Sequence, residues 1–362
     1  MLCQAASNWR IPIWILDQSP DFPASRLCDR FVEGNFKDYD DVLQFGRQVD
    51  ILTIEIEHVN TDALEQLEQE GISVYPNSAA LNTIKDKGLQ KLFYRDQQIP
   101  TSPFQIFENK EELLNAIDVS INIPFVVKYR TAGYDGKGVQ VVKKATDIDR
   151  VGDLPMMVED LVDIDKEISV IAARNPNGEV ITFPAVEMEF HPTANLVEYL
   201  VCPANISTSF NTKAKELAVE IIQKLDIVGL LAVEMFISKD GHILVNEVAP
   251  RPHNSGHQTI EGNATSQYEQ HLRAILNLSL GPTHILQPSV MVNLLGADGY
   301  SGHAIYENID ECIDLNDSYI HLYGKTVTKP FRKMGHATVI DEDLSKARRK
   351  ATFIKDNLII KA

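Results

Sequence analysis

Cysteine is scarce in this chain of 362 residues: there are four, Cys3, Cys28, Cys202 and Cys312. They are widely spaced and form no CxxC pair, so they predict reduced packing residues rather than a disulfide framework. The chain also lacks any run of roughly 18 to 20 consecutive apolar residues, which excludes a membrane-spanning helix. The first residues show no cationic leader followed by an apolar core, so we expect no secretory signal and a cytoplasmic location.

Positive charge is in short supply, with 34 Lys and Arg against 51 Asp and Glu and a formal net charge of −17. This balance argues against a nucleic-acid binder, because phosphate neutralisation needs an excess of Lys and Arg on at least one face. A compact basic pocket for one small anionic substrate stays open. The 44% hydrophobic and 23% charged content is that of ordinary globular chains. The length predicts about two or three domains.

Short β-branched runs alternate with helical patterns in the N-terminal third, which predicts a parallel sheet in a small doubly wound domain. Thr61 and Asp62 are the expected N-cap of its amphipathic helix. The chain starts directly on a helical pattern at Met1, whereas such a domain normally begins with a strand and a Gly-rich turn. We therefore expect the first structural unit to be missing. The segments are Met1 to Ala6, Ile11 to Leu16, Asp50 to Ile54, Thr61 to Glu70 and Ile72 to Tyr75.

A second region begins after a Lys-rich helical pattern from Ala79 to Gln98 and a Pro-containing breaker, which indicates a domain boundary near Gln98. The following runs predict a β-hairpin with a long connection and then a larger antiparallel sheet with one helix beside it. The hairpin strands are Pro124 to Lys128 and Val139 to Val142. The later elements are strands at Met156 to Glu159, Glu167 to Ala173, Gly178 to Pro184, Leu230 to Ile237 and His242 to Val248, and a helix at Thr212 to Leu225.

The connection of that hairpin carries the first candidate site, from Lys128 to Gly138. Its glycines would let backbone N–H groups approach phosphate oxygens, and its lysines would neutralise them. The segment fits neither the P-loop nor the dinucleotide-binding pattern, because an extended run follows instead of a helix. A flexible surface hairpin is the alternative interpretation.

Two carboxylates in strand-like runs, Glu234 and Glu247, form the second candidate site. A carboxylate inside an apolar strand is costly unless it is paired or bound to a metal ion. If the turn at Lys239 to Gly241 joins antiparallel neighbours, both carboxylates and Asn246 converge on one hard cation. Oxygen ligands favour Mg²⁺ or Mn²⁺ over zinc. The alternative is a pair of salt-bridged strand residues.

Polar and charged residues continue from Pro250 to His257, where too few apolar side chains are present for a core. Arg251 would stabilise charge on a transferred phosphoryl or acyl-phosphate group. A lone histidine is more often a structural hydrogen-bonding group, so neither His253 nor His257 is assigned a proton-transfer role. Near the C-terminus, Lys325 and the cationic run from Lys329 to His336 would grip a substrate phosphate or form a solvated loop.

Together these segments resemble the ATP-grasp enzymes, specifically the N5-carboxyaminoimidazole ribonucleotide synthetase family of purine biosynthesis, the ATPase subunit of phosphoribosylaminoimidazole carboxylase. The resemblance covers essentially the whole chain, and its most specific segment is Asn246 to His257. The matching segments, in the family's order, are Glu55 to Val59, Gly133 to Gly138, Asn246 to His257 and Arg332 to His336.

The resemblance implies a mixed α/β and α+β architecture: an ATP-grasp fold with an N-terminal doubly wound, pre-ATP-grasp domain and a small C-terminal β-rich subdomain. It divides the chain into that first domain at 1–80, a linker helix with a small lid domain at 81–158, a large ATP-grasp domain at 159–295 and a phosphate-binding subdomain at 296–362. It also implies a homodimer and the transfer of the product to a mutase, with no membrane and no nucleic acid.

The implied reaction uses ATP and Mg²⁺, with Mn²⁺ as an alternative. ATP phosphorylates bicarbonate, and the carboxyphosphate, or CO₂ released from it, carboxylates the exocyclic amine of 5-aminoimidazole ribonucleotide. A reactive acyl-phosphate must be kept from water, and closure of the Gly133 to Gly138 loop over the phosphates would provide this. We therefore expect loop closure to be coupled to substrate binding.

The resemblance also implies a role for each matching residue. ATP binding falls to Lys87, Lys128, Gly133, Gly136, Gly138 and Asn246, with an adenine slot at Glu159, Asp160, Leu161 and Val162 and the ribose at Glu167. Metal binding falls to Glu234 and Glu247. The ribonucleotide is assigned to Glu57, Tyr134, Asp135 and Lys137, its phosphate to Lys325, Arg332 and Lys333, and bicarbonate to Arg251, His253 and Asn254.

The chain departs from the family pattern in two places. The family begins with a strand and a Gly-Gly-Gly-Gln-Leu-Gly type loop immediately before the helix that starts at Met1 here. Their absence indicates a start at an internal methionine or a shortened product. In addition, Ala132 replaces a common glycine.

One rival interpretation is a formate-dependent glycinamide ribonucleotide transformylase, against which Asn254 to His257 and Arg332 to His336 argue. The other is a non-catalytic nucleotide-binding subunit, against which the retained Lys128, Glu234, Glu247 and Arg251 argue.

Overall fold

The structure is a computed structural model that describes residues 1–117, 119–131, 138–191 and 196–362. In the N-terminal part, short helices alternate with parallel strands, because β1 pairs with β2 and β3 pairs with β4. The elements are α1 (Leu2–Ser7), β1 (Trp14–Asp17), β2 (Arg30–Glu33), α2 (Tyr39–Gly46), β3 (Ile51–Thr53), α3 (Thr61–Gln69) and β4 (Ser73–Tyr75).

This region differs from the expectation in three details. Parallel strands form in the three predicted runs, but β2 and α2 lie in a stretch for which no element was predicted. In the described residues the strands make separate pairs that side-chain packing joins, with Leu16 and Val32 against the cluster around Leu52. The cap of α3 is Asn60 rather than Thr61 or Asp62, because the Asn60 side chain accepts the Ala63 N–H at 2.9 Å. Thr61 therefore becomes the first residue of the helix.

The Lys-rich pattern predicted as one helix forms two, α4 (Ser78–Lys85) and α5 (Lys87–Asp96), with the break at Asp86. Asp86 has extended backbone angles, and its carboxylate accepts the Gly88 and Leu89 N–H groups. These bonds satisfy donors that would otherwise be left open at the start of α5. The break therefore begins a new helix at Lys87.

The next unit is an antiparallel sheet with the strand order β5-β8-β6-β7. The predicted hairpin is confirmed, since β6 pairs with β7 from Phe125 opposite Val142 to Lys128 opposite Val139. Its core contains Phe125, Val127 and Met156, all almost fully buried. The elements are β5 (Phe104–Phe107), α6 (Lys110–Ala116), β6 (Phe125–Tyr129), β7 (Val139–Val142) and β8 (Met156–Asp160).

Nine of the remaining strands build a large antiparallel sheet in the order β14-β13-β9-β11-β12-β15-β20-β18, with β10 beside β9, whereas β16 pairs with β19 and β17 with β21 in two separate two-stranded sheets. The strands are β9 (Ile164–Arg174), β10 (Val180–Thr182), β11 (Val186–Phe190), β12 (Val197–Cys202), β13 (Gly229–Ser238), β14 (Ile243–Ala249), β15 (Ser289–Leu295), β16 (Gly302–His303), β17 (Ile305–Glu307), β18 (Ser318–Leu322), β19 (Val327–Thr328), β20 (Lys333–Ile340) and β21 (Ile359–Lys361). The helices are α7 (Thr208–Lys224), α8 (Thr259–Gly262), α9 (Gln267–Ile275), α10 (Ile309–Ile313) and α11 (Leu344–Asn357).

Helices cover this sheet with small and branched apolar side chains. Ala214, Ala218 and Ile221 of α7 are fully buried in the cluster that includes β9 and β13. Ala347 and Ala351 of α11 occupy the same role against β15 and β20. The small side chains let helix and sheet approach closely, and the apolar area buried stabilises the sheet by roughly 25 cal/mol per Å². The rigid sheet therefore holds β13, β14 and β20 at fixed positions for the site described below.

The four cysteines are free, as expected. Within the described ranges, we find no helix that is long and apolar enough to cross a bilayer.

Candidate active site

The predicted carboxylate pair lies on neighbouring antiparallel strands. Glu234 of β13 stands directly opposite Glu247 of β14, and the strands are joined by the expected turn at Lys239 to Gly241. After Glu234 the pairing shifts so that Met235 faces Val245, which leaves Asn246 as the extra residue of a bulge. A bulge of this kind redirects side chains, here beside the two carboxylates.

The two carboxylates have opposite electrostatic environments. Burial, together with the nearby charges of Glu247 and Glu167, raises the pKa of Glu234 to about 8. The ammonium group of Lys87, which forms an ion pair with Glu247, lowers the pKa of Glu247 to about 2 despite burial. Lys87 is the first residue of α5, so the break at Asp86 places this cation next to β14. The protein therefore balances Glu247 and leaves Glu234 short of positive charge.

A buried ion cluster adjoins this pair. The carboxylate of Glu159 on β8 pairs with Lys91 of α5 and with Lys128 of β6, whose Nζ lies 2.6 Å from Glu159 Oε2. Lys128 Nζ also donates to Asn246 Oδ1 at 2.7 Å. The Lys91 side chain is only 2% exposed and the Glu159 side chain 5%, and burial lowers the pKa of Lys91 to about 8. This cluster connects the smaller sheet, α5 and the carboxylate pair.

The residues after β14 form the loop from Pro250 to His257, which contacts the N-terminal unit. Arg251 Nε donates to Glu57 Oε1 at 2.6 Å, so residues from distant parts of the sequence meet here. His253 Nε2 lies 3.5 Å from Glu234 Oε1, and burial followed by the charge of Arg251 lowers the His253 pKa to about 3. In this part of the described structure, Asn254 Oδ1 is buried without a hydrogen-bond partner. The loop thus presents neutral polar groups and one cation beside Glu234.

The segment predicted to line an adenine slot leaves β8 beside Ser102. The Ser102 hydroxyl donates to the Asp160 carbonyl oxygen at 2.9 Å, Leu161 is exposed, and Val162 is half-buried. Glu167 of β9 lies across the sheet from Phe236, and burial raises the Glu167 pKa to about 7 against the charge of Lys128.

The cationic residues near the C-terminus gather around the start of β20. Lys325 Nζ donates to the Lys333 carbonyl oxygen at 2.7 Å, and an Arg332 nitrogen donates to the Val327 carbonyl oxygen at 2.5 Å. The positive charge of Lys333 contributes, after burial, to lowering the pKa of His253 and of His257. Lys333 is therefore near the loop from Pro250 to His257, whereas the Arg332 side chain is held by the backbone of Val327.

Residues 132–137 of the predicted hairpin connection lie outside the described residues, and these include the predicted site residues Gly133, Tyr134, Asp135, Gly136 and Lys137. At its described end, Gly138 has φ of +81°, a backbone conformation that glycine adopts without strain, and its carbonyl oxygen accepts the Tyr129 N–H at 3.0 Å.

Sequence reasoning missed two residues that organise the site. Lys91 was included only in a Lys-rich helix, although its spacing of four residues from Lys87 puts both side chains on one helix face. Gln267, the first residue of α9, has no comparable signal. Its amide oxygen accepts the His253 N–H and its amide nitrogen donates to the His253 carbonyl oxygen, each at 2.8 Å.

The donor set fits a magnesium ion bound together with phosphate. In the described residues no group of three or more His, Cys, Asp and Glu side chains forms a complete metal cage. Mg²⁺ commonly takes one or two carboxylates and completes its octahedron with water and phosphate oxygens, so Glu234 and Glu247 suffice for that mode. The raised pKa of Glu234 indicates where a cation would relieve carboxylate repulsion.

Comparison with known families gives the class of the protein. Residues 92–268 match the ATP-grasp domain, and residues 1–85 match the ribonucleotide synthetase preATP-grasp domain. Residues 289–350 match the phosphoribosylaminoimidazole carboxylase C-terminal domain. The fold is therefore an ATP-grasp fold with both flanking domains, as expected from the resemblance.

Individual relatives narrow this class. The chain is 34% identical to the N5-carboxyaminoimidazole ribonucleotide synthase of Bacillus subtilis, over 94% of this chain and 88% of the relative. It is 35% identical to the chloroplastic phosphoribosylaminoimidazole carboxylase of Vigna aconitifolia, over 95% of this chain but 62% of the relative's length. The chain belongs to the N5-carboxyaminoimidazole ribonucleotide synthetase family.

A solved structure supports the same relationship. The crystal structure of the Aspergillus clavatus synthase, in complex with ADP and 5-aminoimidazole ribonucleotide, has a TM-score of 0.88 and 32% identity to this chain. The similarity covers 98% of this chain and 94% of that one.

Proposed function

We propose that this protein carboxylates 5-aminoimidazole ribonucleotide to N5-carboxyaminoimidazole ribonucleotide in purine biosynthesis, with ATP and bicarbonate as co-substrates. One observation carries this proposal: Glu234 and Glu247 stand in register beside the partly buried Lys87, the buried Lys128 and the loop that contains Arg251. This arrangement suits a phosphoryl transfer to a small anion better than a simple binding site, because it combines a cation-deficient carboxylate with fixed positive charge.

The nucleotide is assigned to the space between the small and large sheets. Lys87 and Lys128 would exchange their carboxylate and amide partners for ATP phosphates, and Asn246 would complete that end together with Gly138. The strand end from Glu159 to Val162 would hold adenine, with Glu167 at the ribose. The buried partner Lys91 keeps Glu159 neutralised when Lys128 turns to the phosphates, so the charge balance supports this allocation.

Glu234 and Glu247 would hold Mg²⁺. When bound, the ion neutralises phosphate charge and orients the transferred phosphoryl group. The His253 ring beside Glu234 stays uncharged because burial keeps its pKa low, so it adds no positive charge that would compete with the ion. It would act instead as a neutral hydrogen-bonding group.

Bicarbonate is assigned to Arg251, His253 and Asn254, next to the carboxylate pair. Arg251 would hold bicarbonate while a bicarbonate oxygen accepts the phosphoryl group. The unpaired Asn254 Oδ1 offers a further polar contact. Glu57, which holds Arg251 through one carboxylate oxygen, would turn to the ribonucleotide as the bicarbonate site fills. This exchange of partners would link the occupancy of the two substrate sites.

The ribonucleotide is assigned to the cationic residues near the start of β20. Lys325, Arg332 and Lys333 would bind its phosphate, and the cluster they form near β20 supports this assignment. The predicted contributions of Tyr134, Asp135 and Lys137 stay part of the proposal.

The larger arrangement is proposed on the same basis. The segments 1–80, 81–158, 159–295 and 296–362 would act as the N-terminal domain, the lid with its linker helix, the metal-binding domain and the phosphate-binding subdomain. We further propose a cytoplasmic homodimer whose product passes to a mutase. Size-exclusion chromatography with light scattering tests the dimer directly.

The test of the activity is ADP release and product formation with Mg²⁺-ATP, with bicarbonate or 5-aminoimidazole ribonucleotide omitted in turn. We expect rapid turnover and carboxylated product only in the complete mixture, because the acyl-phosphate is converted to product only when the acceptor amine is present. Turnover with formate and glycinamide ribonucleotide instead would assign the chain to the transformylase reaction. No nucleotide turnover under either condition would favour a binding subunit.

A matched pair of variants links that activity to the site. Lys128→Gln removes the ammonium group that contacts Glu159 and Asn246, and we expect KM for ATP to rise by about tenfold or more. Lys239→Gln removes the same charge from an exposed ion pair with Asp163, so we expect unchanged kinetics. Equal effects of the two substitutions would contradict the assigned nucleotide site.

A further inference from the structure

Three histidine rings, from three separate segments, stack behind the proposed bicarbonate site. The ring centroids of His257 and His336 are 4.7 Å apart with an interplanar angle of 28°, and those of His336 and His321 are 4.5 Å apart at 16°. His336 of β20 stands directly opposite His321 of β18 in the strand register. His257 ends the loop that contains Arg251. The stack thus joins the C-terminal strands to that loop.

The central ring of the stack, His336, is buried, whereas His257 at one end is partly exposed. His336 is fully buried, and burial followed by the charges of neighbouring groups lowers the pKa of His336 and of His257 well below the ordinary value. Neutral rings stack without the repulsion that charged ones would suffer at this distance. The outer ring, His321, is anchored by Glu261, whose Oε1 lies 2.7 Å from His321 Nε2. His336 Nδ1 lies 3.0 Å from the Tyr323 hydroxyl oxygen.

A short series of contacts connects the stack to His253. His257 Nδ1 lies 2.9 Å from the Tyr268 hydroxyl oxygen and 3.0 Å from Gln267 Nε2. The same Gln267 amide holds both backbone groups of His253, whose ring lies beside Glu234. The packing is tight, because a Cβ at Gly256 would lie 2.5 Å from Gln267 Oε1. Movement of the His257 ring would therefore displace Gln267 and with it the His253 backbone.

The other end of the connection is the strand that bears a proposed phosphate ligand. Lys333 is the first residue of β20, and His336 lies three residues further on. Strand β20 is bonded to β15 and β18 along most of its length, so Lys333 and His336 move as one body. The face of the His336 ring therefore transmits the position of this strand to His257.

We infer that His336 is a positioning residue: its ring face, stacked on His257, sets the Arg251 to His257 loop relative to Lys333. This inference rests on the proposed function, because it concerns how the bicarbonate and ribonucleotide sites are aligned. This alignment would couple ADP release to product formation. Loss of alignment lets the acyl-phosphate form and decompose before the amine captures its carboxyl group, so ADP appears without carboxylated product.

The test compares His336→Asn with His336→Phe. Asn retains a polar atom that can contact Tyr323 but lacks the ring face, whereas Phe retains the ring face without its nitrogen atoms. We expect product kcat to fall about tenfold to a hundredfold in His336→Asn, with more ADP released per product and KM for ATP unchanged. We expect His336→Phe to restore the ADP-to-product ratio to that of the wild type.

Two further variants separate positioning from stability. His271→Asn changes an equally buried histidine that contacts Thr53 instead of the stack, so we expect a lower Tm with an unchanged ratio. If the His336 variants do not fold, His321→Asn alters the partly exposed end of the stack, and we expect a smaller rise in the ratio. A wild-type ratio and product kcat in folded His336→Asn, or in His321→Asn where only that variant folds, would overturn the inference.

The crystal structure of His336→Asn provides a readout that does not depend on activity. Displacement of the His257 ring and the His253 backbone would support the positioning role, and an unmoved loop would contradict it. If the wild-type chain makes no carboxylated ribonucleotide, the proposed function fails and this structural result alone decides the inference.

Discussion

Two clusters of buried charge in the described part of the site differ in how far the protein itself balances them. Around Glu159, the ammonium groups of Lys91 and Lys128 enclose one carboxylate, and its pKa is lowered by these lysines although burial alone would raise it. At Glu234 the nearest neighbours include Glu247 and Glu167, and the pKa is raised to about 8. In the first cluster the carboxylate is enclosed by two cations, whereas Glu234 is short of positive charge because the nearby Lys87 forms its ion pair with Glu247.

This difference indicates how the fold separates stability from function. A buried ion cluster that is closed by the protein holds α5, β6 and β8 together. An unbalanced carboxylate contributes little to stability, but it forms a site where a cation binds with a gain in free energy. The lysines between the clusters, Lys87 and Lys128, can serve either cluster or a bound phosphate.

The largest effect is expected from breaking the closed cluster with Glu159→Gln. Two buried ammonium groups then lose their carboxylate, so we expect the free energy of unfolding at pH 7 to fall by about 3 to 5 kcal/mol. Urea unfolding followed by circular dichroism measures this. The double variant Glu159→Gln with Lys91→Met should recover part of the loss, because it removes one stranded cation. A single variant as stable as the wild type would show that the lysines are well hydrated.

A smaller effect on stability, with a marked loss of function, is expected from Glu234→Gln. We expect equal stability at pH 7 and greater stability above pH 8 without metal, because Gln cannot ionise beside Glu247, and a loss of kcat of about a hundredfold, or about 2.7 kcal/mol. Thermal unfolding with and without Mg²⁺-ATP should show a smaller ligand-induced rise in Tm than for the wild type. The matched control Glu198→Gln alters a carboxylate paired with Lys355 elsewhere in the sheet and should retain activity.

The smallest effect is expected in the pH dependence of the free energy of unfolding. Burial lowers the folded-state pKa of Lys91 to about 8 from an ordinary value of 10.5, so above pH 8 the unfolded chain binds more protons at this residue. Its contribution to stability therefore improves as pH rises from 8 towards 10. We expect the wild type to gain relative to Lys91→Met, by up to about 1.4 kcal/mol per pH unit.

Urea unfolding at pH 8, 9 and 10 measures this slope. The variant Lys239→Met changes an exposed lysine whose pairing with Asp163 raises its pKa, so it should show no such gain. A constant difference between the wild type and Lys91→Met over this range would mean that Lys91 keeps its charge when buried.

Local sequence patterns predicted the elements that depend on neighbouring residues. The β6–β7 hairpin and the opposition of Glu234 to Glu247 both follow from a short turn between alternating strands. Prediction was less successful where one polar side chain decides between alternatives, as at Asn60 and Asp86, whose caps set where α3 and α5 begin. These caps shift a boundary by a few residues without changing the fold.

The sequence by itself determined the fold class, the carboxylate pair and the polar loop that follows it. Each depends on short motifs whose residues are neighbours in the chain or are joined by a short turn. Only the tertiary structure decided which charges are balanced, because Lys91, Lys128 and Glu159 come from separate elements and meet in the interior. The same holds for the stack of His257, His321 and His336. Burial and distance set the energies of these groups, and both are properties of the packed molecule.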